Sequence, residues 1–310
     1  MNKKNNRILL IVLVALLALY FGKKYLGNSG DRNFKSELVA VDTAAVNKIV
    51  VNAKSNQNVP ITLTRTGSEW EVSDGTIEDN ASPSIMSGIL SSLVSMKPER
   101  LIAKSKDKWD TNQVSDSLGT DVKVYSDDKL LADLVVGKFN YNQATRSMST
   151  SVRLANSEDV YTVKGYLSST FNRKTNDFRD KSFVKVKTED LTKIAFTYPG
   201  DSSYVLEKSA NGWQIDGQRA DSVNVRNYLA GLRMMNMREF DDGFEPASHE
   251  HPYQVMIDGD NINTITVTGY ATENGLVLHS SMNEDAYFKQ ASFKPFDKLF
   301  VHKQKFIGNN

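Results

Sequence analysis

The longest apolar stretch of the chain lies near its N-terminus, where Ile8–Phe21 is an unbroken run of fourteen apolar residues. A helix rises about 1.5 Å per residue, so this run covers roughly 21 Å of a hydrocarbon core about 30 Å thick, and an extension to Leu26 covers about 28 Å. Tyr20, Phe21 and Tyr25 suit the membrane interface. No second run of this kind occurs in the sequence. The pattern therefore predicts one membrane anchor that carries a large water-soluble part.

A cleaved signal peptide is the competing interpretation, because such peptides also contain an apolar core of about 7–15 residues. The segment after the run reads GKKYLGNSG and has no A-x-A-like cleavage site, and the absence of cysteine excludes lipoprotein processing. These features favour an uncleaved signal anchor. Lys3, Lys4 and Arg7 favour an N-terminus inside and a C-terminus outside the cytoplasm, although Lys23 and Lys24 weaken that prediction.

From about Leu38 the pattern changes to short alternating runs that are typical of half-buried antiparallel strands. The first strands are predicted at Ile49-Val50-Val51, at Ile61–Arg65 and at Trp70-Glu71-Val72. Ser82 and Pro83 then suit the N-cap and the first position of a helix. The predicted buried face of this helix consists of Ile85, Ile89, Leu90, Leu93 and Val94.

The second half of the chain repeats this layout. Trp70 and Trp213 are 143 positions apart, as are Leu63 and Leu206. A second helix is predicted from about Ser222, with a buried face of Val225, Tyr228, Leu229 and Leu232. Later strands and an aromatic, basic ending also correspond between the halves.

The repeat predicts an α+β fold in which an N-terminal transmembrane helix precedes two tandem related domains. Each domain is expected to be an antiparallel, strand-rich sheet with two helices. The predicted boundaries are an anchor at 1–27, a linker at 28–40, a first repeat domain at 41–184 and a second at 185–310.

Composition narrows the function classes. The 310 residues include 38 basic and 37 acidic residues, so the net charge of +1 provides no global field for nucleic acid. Cysteine is absent, which excludes disulfides, thiolate metal sites and cysteine nucleophiles. A hydrophobic content of 40% is sufficient for an ordinary globular core.

The best metal candidate is His249-Glu250-His251, with Asp241, Asp242 and Glu245 upstream. Two histidines one residue apart on a strand share a face, and imidazole with carboxylate suits zinc. The surrounding Gly-, Pro- and Ser-containing stretch instead favours a solvated loop. Asp258-Gly259-Asp260-Asn261 lacks the ligand order of a calcium-binding EF-hand loop, and a hairpin turn explains it better.

The remaining candidates favour structural roles. Glu158-Asp159 and Glu284-Asp285 are adjacent pairs that point to opposite faces of a strand, so they do not flank one bond. Trp70 and Trp213 are interpreted as core residues rather than sugar platforms. Met234, Met235 and Met237 suit either core filling or an adaptable contact surface.

No nucleophile elbow, P-loop or dinucleotide fingerprint occurs in the sequence. We therefore predict no catalytic, cofactor-binding or metal residues, no cofactor and no enzymatic activity.

The two halves resemble a known pattern, carried by Asp42, Ile49, Trp70-Glu71-Val72 and Leu90–Leu93 in the first and by Asp190, Ile194, Trp213-Gln214-Ile215 and Leu229–Leu232 in the second. With the anchor, this pattern resembles the bacterial domain-of-unknown-function family numbered 4340. The spacing from the aspartate to the isoleucine differs, with seven positions in the first half and four in the second. The resemblance implies a membrane-tethered, extracytoplasmic protein, often associated with gliding-type or other ABC transport systems. It implies no site residues.

The function expected from these observations is that of a non-enzymatic accessory or scaffold subunit of an ABC-type membrane transport complex. Its expected partners are the bilayer and transporter or permease subunits, without nucleic acid. The expected location is the bacterial inner membrane, with the N-terminus cytoplasmic and the bulk of the chain periplasmic. The alternatives are a module that binds cell-envelope glycan or lipid in a groove, and a hydrolase with a metal at His249 and His251.

Overall fold

A computed structural model describes residues 38–39, 41–248, 253–273, 275–290 and 294–307, together with Leu13 and Leu17. The described part consists mainly of antiparallel strands with a few short helices, which confirms the predicted α+β class. The strands are β1 (Lys48–Asn52), β2 (Ile61–Thr66), β3 (Glu69–Ser73), β4 (Glu78–Asn80), β5 (Pro98–Ala103), β6 (Thr120–Ser126), β7 (Lys129–Asn142), β8 (Ser147–Leu154), β9 (Val160–Lys164), β10 (Ser182–Lys185), β11 (Leu191–Thr197), β12 (Tyr204–Ser209), β13 (Gly212–Ile215), β14 (Gln218–Arg219), β15 (Met234–Asn236), β16 (Tyr253–Gly259), β17 (Ile265–Thr272), β18 (Gly275–Ser280) and β19 (Asn283–Gln290). The helices are α1 (Pro83–Val94), α2 (Leu167–Phe171), α3 (Thr175–Phe178), α4 (Ser222–Leu232) and α5 (Lys294–Leu299).

The chain divides into two compact units. The first unit takes the residues up to Val46 together with Ser91–Phe171, and the second unit takes Asn47–Leu90 together with the residues from Asn172 onward. Within the first unit, strands β5–β9 lie in the order β6-β7-β8-β9-β5, and all neighbours are antiparallel.

The second unit contains three groups of strands. Strands β1–β4 form an antiparallel meander in the order β4-β3-β2-β1. An eight-stranded sheet has the order β14-β13-β12-β11-β16-β17-β18-β19, and β10 pairs antiparallel with β15. The domain boundary predicted between residues 184 and 185 falls within strand β10. The predicted domain boundaries stay predictions.

The alternating pattern of the sequence produces the buried face of the meander. Ile49 on β1 lies opposite Leu63 on β2, and Leu63 lies opposite Val72 on β3. All three side chains are fully buried. Because successive side chains of a strand point to opposite faces, the intervening threonines and glutamates face outward. The strands predicted in this part of the chain are thus confirmed.

Helix α4 matches its prediction fully, whereas the buried face predicted for α1 is confirmed only in part. Val225, Tyr228, Leu229 and Leu232 of α4 are all buried. In α1, Ile89 and Leu93 are buried, Ile85 and Leu90 are half-buried and Val94 is exposed, while Met86 is buried in addition. Met86 lies three positions before Ile89, so it continues the same stripe of the helix.

Three tyrosines hold the C-terminal segment against the core of the second unit. The hydroxyls of Tyr198 and Tyr204 each donate to the carbonyl oxygen of Val301 at 2.6 Å, and that of Tyr228 donates to Leu299 at 3.0 Å. Burial raises the pKa of all three phenols above the usual value. The rings belong to an aromatic cluster with Phe196.

The predicted anchor lies outside the described residues apart from Leu13 and Leu17, which are helical. Among the residues that the structure describes, no helix is both long and apolar enough to cross a membrane. The anchor and the linker stay predictions.

Candidate functional site

A wide groove beside helix α4, which we call the α4 groove, lies within the second unit. It encloses about 1020 Å³ and is lined by residues from three chain segments. Its lining residues are Lys185, Val186, Lys187, Asp190, Ala230, Arg233, Met234, Asn261 and Ile262. The connection from β10 to β11, the end of α4 and the β16–β17 loop therefore all meet here.

A second concavity of about 400 Å³ follows the same helix and shares Ala230 with the first. It is lined by Thr188, Glu189, Gly212, Trp213, Arg219, Ala220, Ser222, Val225, Arg226, Leu229 and Ala230. On α4, positions 222, 226, 230 and 233 recur every three or four residues. They form one stripe of the helix surface, so the two concavities follow a single helix face. The α4 groove and this concavity are together called the α4 face.

The α4 face is mainly basic. Its basic residues are Lys185, Lys187, Arg219, Arg226 and Arg233, against the acidic Glu189 and Asp190. Within the described part of the chain, none of these five basic side chains forms an ion pair. Exposed charges of one sign attract a partner of the opposite sign.

The floor of the α4 face is apolar. Met234 is 66% exposed, and Ile262 and Trp213 are half-buried against the core. Methionine side chains are flexible and adapt to irregular partner surfaces. An apolar floor with a charged rim is the usual composition of a protein interface.

The backbone around the groove is held in place by two local devices. The carboxylate of Asp221 caps α4 by accepting from the N–H groups of Val223 at 2.9 Å and Asn224 at 2.7 Å. On the opposite wall, Asp260 donates its N–H to the carbonyl oxygen of Asp190 at 2.7 Å. A Cβ atom at Gly259 would lie 2.2 Å from that same oxygen, so glycine is required there.

This packing also accounts for the calcium candidate at Asp258–Asn261. The segment forms the β16–β17 hairpin, in which the carboxylate of Asp258 accepts from the hydroxyl of Thr264 at 2.6 Å. Asn261 adopts a left-handed conformation with φ of 59°. Among the described residues, no group of three or more His, Asp or Glu side chains is arranged to hold a metal ion.

A second chemical cluster in this unit is centred on Arg179, which is buried. Its guanidinium donates to Asp79 at 2.6 Å, to Asp242 at 2.7 and 3.1 Å, and to Asn176 at 3.1 Å. The guanidinium carbon also lies 3.5 Å from the ring centre of Phe240. The donors of an arginine point in fixed directions, and four hydrogen bonds from this guanidinium join three chain segments.

An acidic cleft of about 360 Å³ opens above Arg179, lined among others by Glu78, Asp241 and Asp285. Two of its carboxylates, Asp79 and Asp242, are already paired with the guanidinium. We therefore interpret the cluster as a structural contact that holds the three chain segments together.

The histidine segment and the first acidic pair were two further candidates in the sequence. His249, Glu250 and His251 lie outside the described residues. Asp159 accepts from the hydroxyl of Tyr161 at 3.1 Å, and the carbonyl of Glu158 accepts from the indole of Trp109 at 3.0 Å.

The tryptophans and methionines differ in burial. Trp70 is buried as predicted, whereas Trp213 packs against the core and also lines the α4 face. Met237 is buried, while Met234 is exposed on the α4 face. The core interpretation is therefore confirmed for Met237, and a contact role for Met234 stays a prediction.

Sequence reasoning missed the basic rim of the α4 face. Arg226 and Arg233 lie seven positions apart and so share one side of α4, which the sequence could have signalled. Lys185 and Lys187 come from the end of β10 and its connection to β11 and Asn261 comes from the β16–β17 loop, and only the folded sheet brings these segments to the same groove as α4.

Comparison with known proteins gives one match. The model of a family described as "Domain of unknown function (DUF4340)" matches residues 76–255, which is more than half of the chain. This span contains α1 and α4 and most of the residues that line the α4 groove. Neither the curated proteins nor the solved structures give a significant match.

Proposed function

The chain belongs to the DUF4340 family, a domain of unknown function, and from that premise we propose that it is a non-enzymatic accessory or scaffold subunit of an ABC-type membrane transport complex. In this proposal Ile8–Phe21 anchors the chain in the bacterial inner membrane. The N-terminus lies in the cytoplasm and the rest of the chain in the periplasm. Transporter or permease subunits are the proposed partners.

We also propose that the two halves of the chain are tandem related domains. The order β4-β3-β2-β1 in the first half has a counterpart in β14-β13-β12-β11, and β6-β7-β8-β9 has one in β16-β17-β18-β19. In each half a helix, α1 or α4, follows a short strand after the tryptophan strand. These equal orders support a duplication.

The single observation that carries the docking proposal is the α4 face. It combines an exposed methionine and a half-buried isoleucine with five basic side chains that have no ion-pair partner in the described structure. Exposed apolar surface next to unpaired charge favours a complementary protein surface. The proposed partner segment therefore carries apolar side chains and acidic groups.

The test begins with gentle detergent extraction of native membranes, purification through a C-terminal tag and mass spectrometry. The proposal expects transporter or permease subunits in stoichiometric amounts. Recovery of the protein alone, or with only bound lipid or glycan, would contradict it and favour the envelope-binding alternative.

A matched pair of variants links the partner to the α4 face. Lys187→Glu with Arg233→Glu reverses two charges on this face, and Lys97→Glu with Lys129→Glu makes the same change at exposed positions elsewhere. Like charges facing each other across an interface cost several kcal/mol, so we expect the first variant to retain at least about tenfold less partner. Equal loss in both variants, or loss in neither, would remove the α4 face from the proposal.

A further inference from the structure

A polar groove of about 400 Å³ lies within the first unit, on one face of its sheet. It is formed by the ends of β7 and β8, by β9 and β5, and by the loop that precedes β6. The residues used below are Arg100, Asn112, Asn140, Ser149 and Thr162, all of which line it.

Strand register places a set of small polar side chains on this face. Asn140 lies opposite Ser149 and Asn142 lies opposite Ser147 in the β7–β8 pair, while Ser151 lies opposite Thr162 in the β8–β9 pair. Alternate residues of a strand share a face, and directly opposite residues lie side by side. Three adjacent strands therefore present amide and hydroxyl groups instead of the long charged side chains of an ordinary solvated sheet.

Two hydrogen bonds fix the orientation of the Asn140 side-chain amide. Its Nδ2 donates to the carbonyl oxygen of Lys138 at 3.1 Å and to the hydroxyl of Ser151 at 3.2 Å. Ser151 is fully buried and donates in turn to Oδ1 of Asn112 at 3.5 Å. Among the described hydrogen bonds, none uses Oδ1 of Asn140. The groove thus contains an acceptor that is oriented before any ligand arrives.

The other groups in the groove complete a neutral surface. The hydroxyl of Thr162, a buried residue, donates to the carbonyl oxygen of Arg100 at 3.4 Å. Arg100 and Glu99 contribute one positive and one negative charge to the lining.

We propose that this groove is a binding site for a neutral saccharide. Sugar hydroxyls both donate and accept hydrogen bonds, as do amide and hydroxyl side chains. Clefts with a few oriented polar groups are suited to small ligands. The site is separate from the α4 face, so it neither requires nor excludes docking to a transport complex.

The test measures saccharide binding to the full-length protein in detergent by isothermal titration calorimetry. The probes are maltotetraose and tetra-N-acetylchitotetraose, both neutral oligosaccharides. We expect saturable binding of at least one of them. Asn140→Ala with Ser149→Ala removes two hydrogen-bonding groups, and we expect it to weaken that binding roughly tenfold.

Two further variants keep the test decisive. Ser149→Gln places a larger side chain in the groove and leaves the amide of Asn140 in place. If the double variant does not fold, this variant is used instead, and we expect it also to weaken binding. Asn211→Ala with Ser202→Ala makes the same chemical changes at exposed positions of the second unit and should leave binding unchanged. Absence of saturable binding of both oligosaccharides, or wild-type affinity in the folded groove variants, would overturn the proposal.

Discussion

Arg179 is a buried residue that joins three chain segments of the second unit. Its guanidinium is shared by two carboxylates whose surroundings differ, because the side chain of Asp79 is 2% exposed and that of Asp242 is 47% exposed. A buried charge that loses its partner retains the full desolvation cost, whereas a half-exposed carboxylate is already hydrated. The two aspartates are therefore unequal partners of one arginine.

The expected effects of substitution follow from this inequality. Arg179→Met should lower the free energy of unfolding by about 3 kcal/mol or more, because it leaves Asp79 buried without its partner. Asp79→Asn should lower the free energy of unfolding more than Asp242→Asn does, since only Asp79 is fully desolvated. Urea unfolding measures both effects, with Arg238→Met at an exposed position as the control. Equal values for the two aspartate variants would contradict the interpretation of Arg179.

The three buried tyrosines make stability sensitive to alkaline pH. Burial raises the pKa of Tyr198, Tyr204 and Tyr228 above the value of about 10 in an unfolded chain. Because the folded pKa is the higher one, their contribution is complete below about pH 10 and is lost as the pH rises above it.

Tyr228→Phe tests this pH dependence. The variant should be less stable at pH 7, because it loses the hydrogen bond to Leu299. Its stability should then fall less steeply than that of the wild type between about pH 10 and 11. Parallel profiles from thermal unfolding at each pH would exclude a role for this phenol.

Among the secondary-structure elements, α4 connects the core to the candidate docking surface. Its inner face packs into the core through Tyr228 and Leu232, while Arg226 and Arg233 of the opposite side line the α4 face. The N-terminus of the helix is held by Asp221, whose carboxylate accepts two backbone N–H groups.

Removal of this cap should destabilise the second unit. Asp221→Ala is expected to lower the free energy of unfolding by about 1 kcal/mol, the usual cost of losing an N-cap. Asp201→Ala, in an exposed turn, is the control. Chemical denaturation of both variants measures the difference, and equal stability would show that the cap contributes nothing.

The elements also show how far hydrophobic periodicity predicts this fold. Strands β1–β3 and helix α4 follow their patterns, because each has one buried and one exposed face. The register shift in β7 between Val136 and Phe139 was not predictable, since a bulge depends on the partner strand. That shift lies just before Asn140 and helps to set the face that the polar groove uses.

At the scale of the whole molecule, the sequence predicted the fold class and the family but not the site. The candidate sites that the sequence offered were acidic pairs and histidines close together along the chain. The α4 groove instead combines residues near positions 186, 232 and 261, whose proximity depends on sheet order. Its character, an apolar floor with a basic rim, therefore appears only after folding.

If the two halves arose by duplication, each half can carry a different binding surface. A docking surface beside α4 and a polar groove on β7 and β8 occupy different units of the chain. Different variants test the α4 face and the polar groove, so the result of one test does not decide the other.

The most direct test of the central proposal is site-specific photo-crosslinking in native membranes. A photoreactive phenylalanine analogue replaces Met234 on the α4 face, and a control protein carries it at Leu130, which is 46% exposed in the first unit. The docking proposal predicts a discrete adduct from position 234 that contains a transporter or permease subunit, and none from position 130. No adduct from position 234, or the same adducts from both positions, would contradict it.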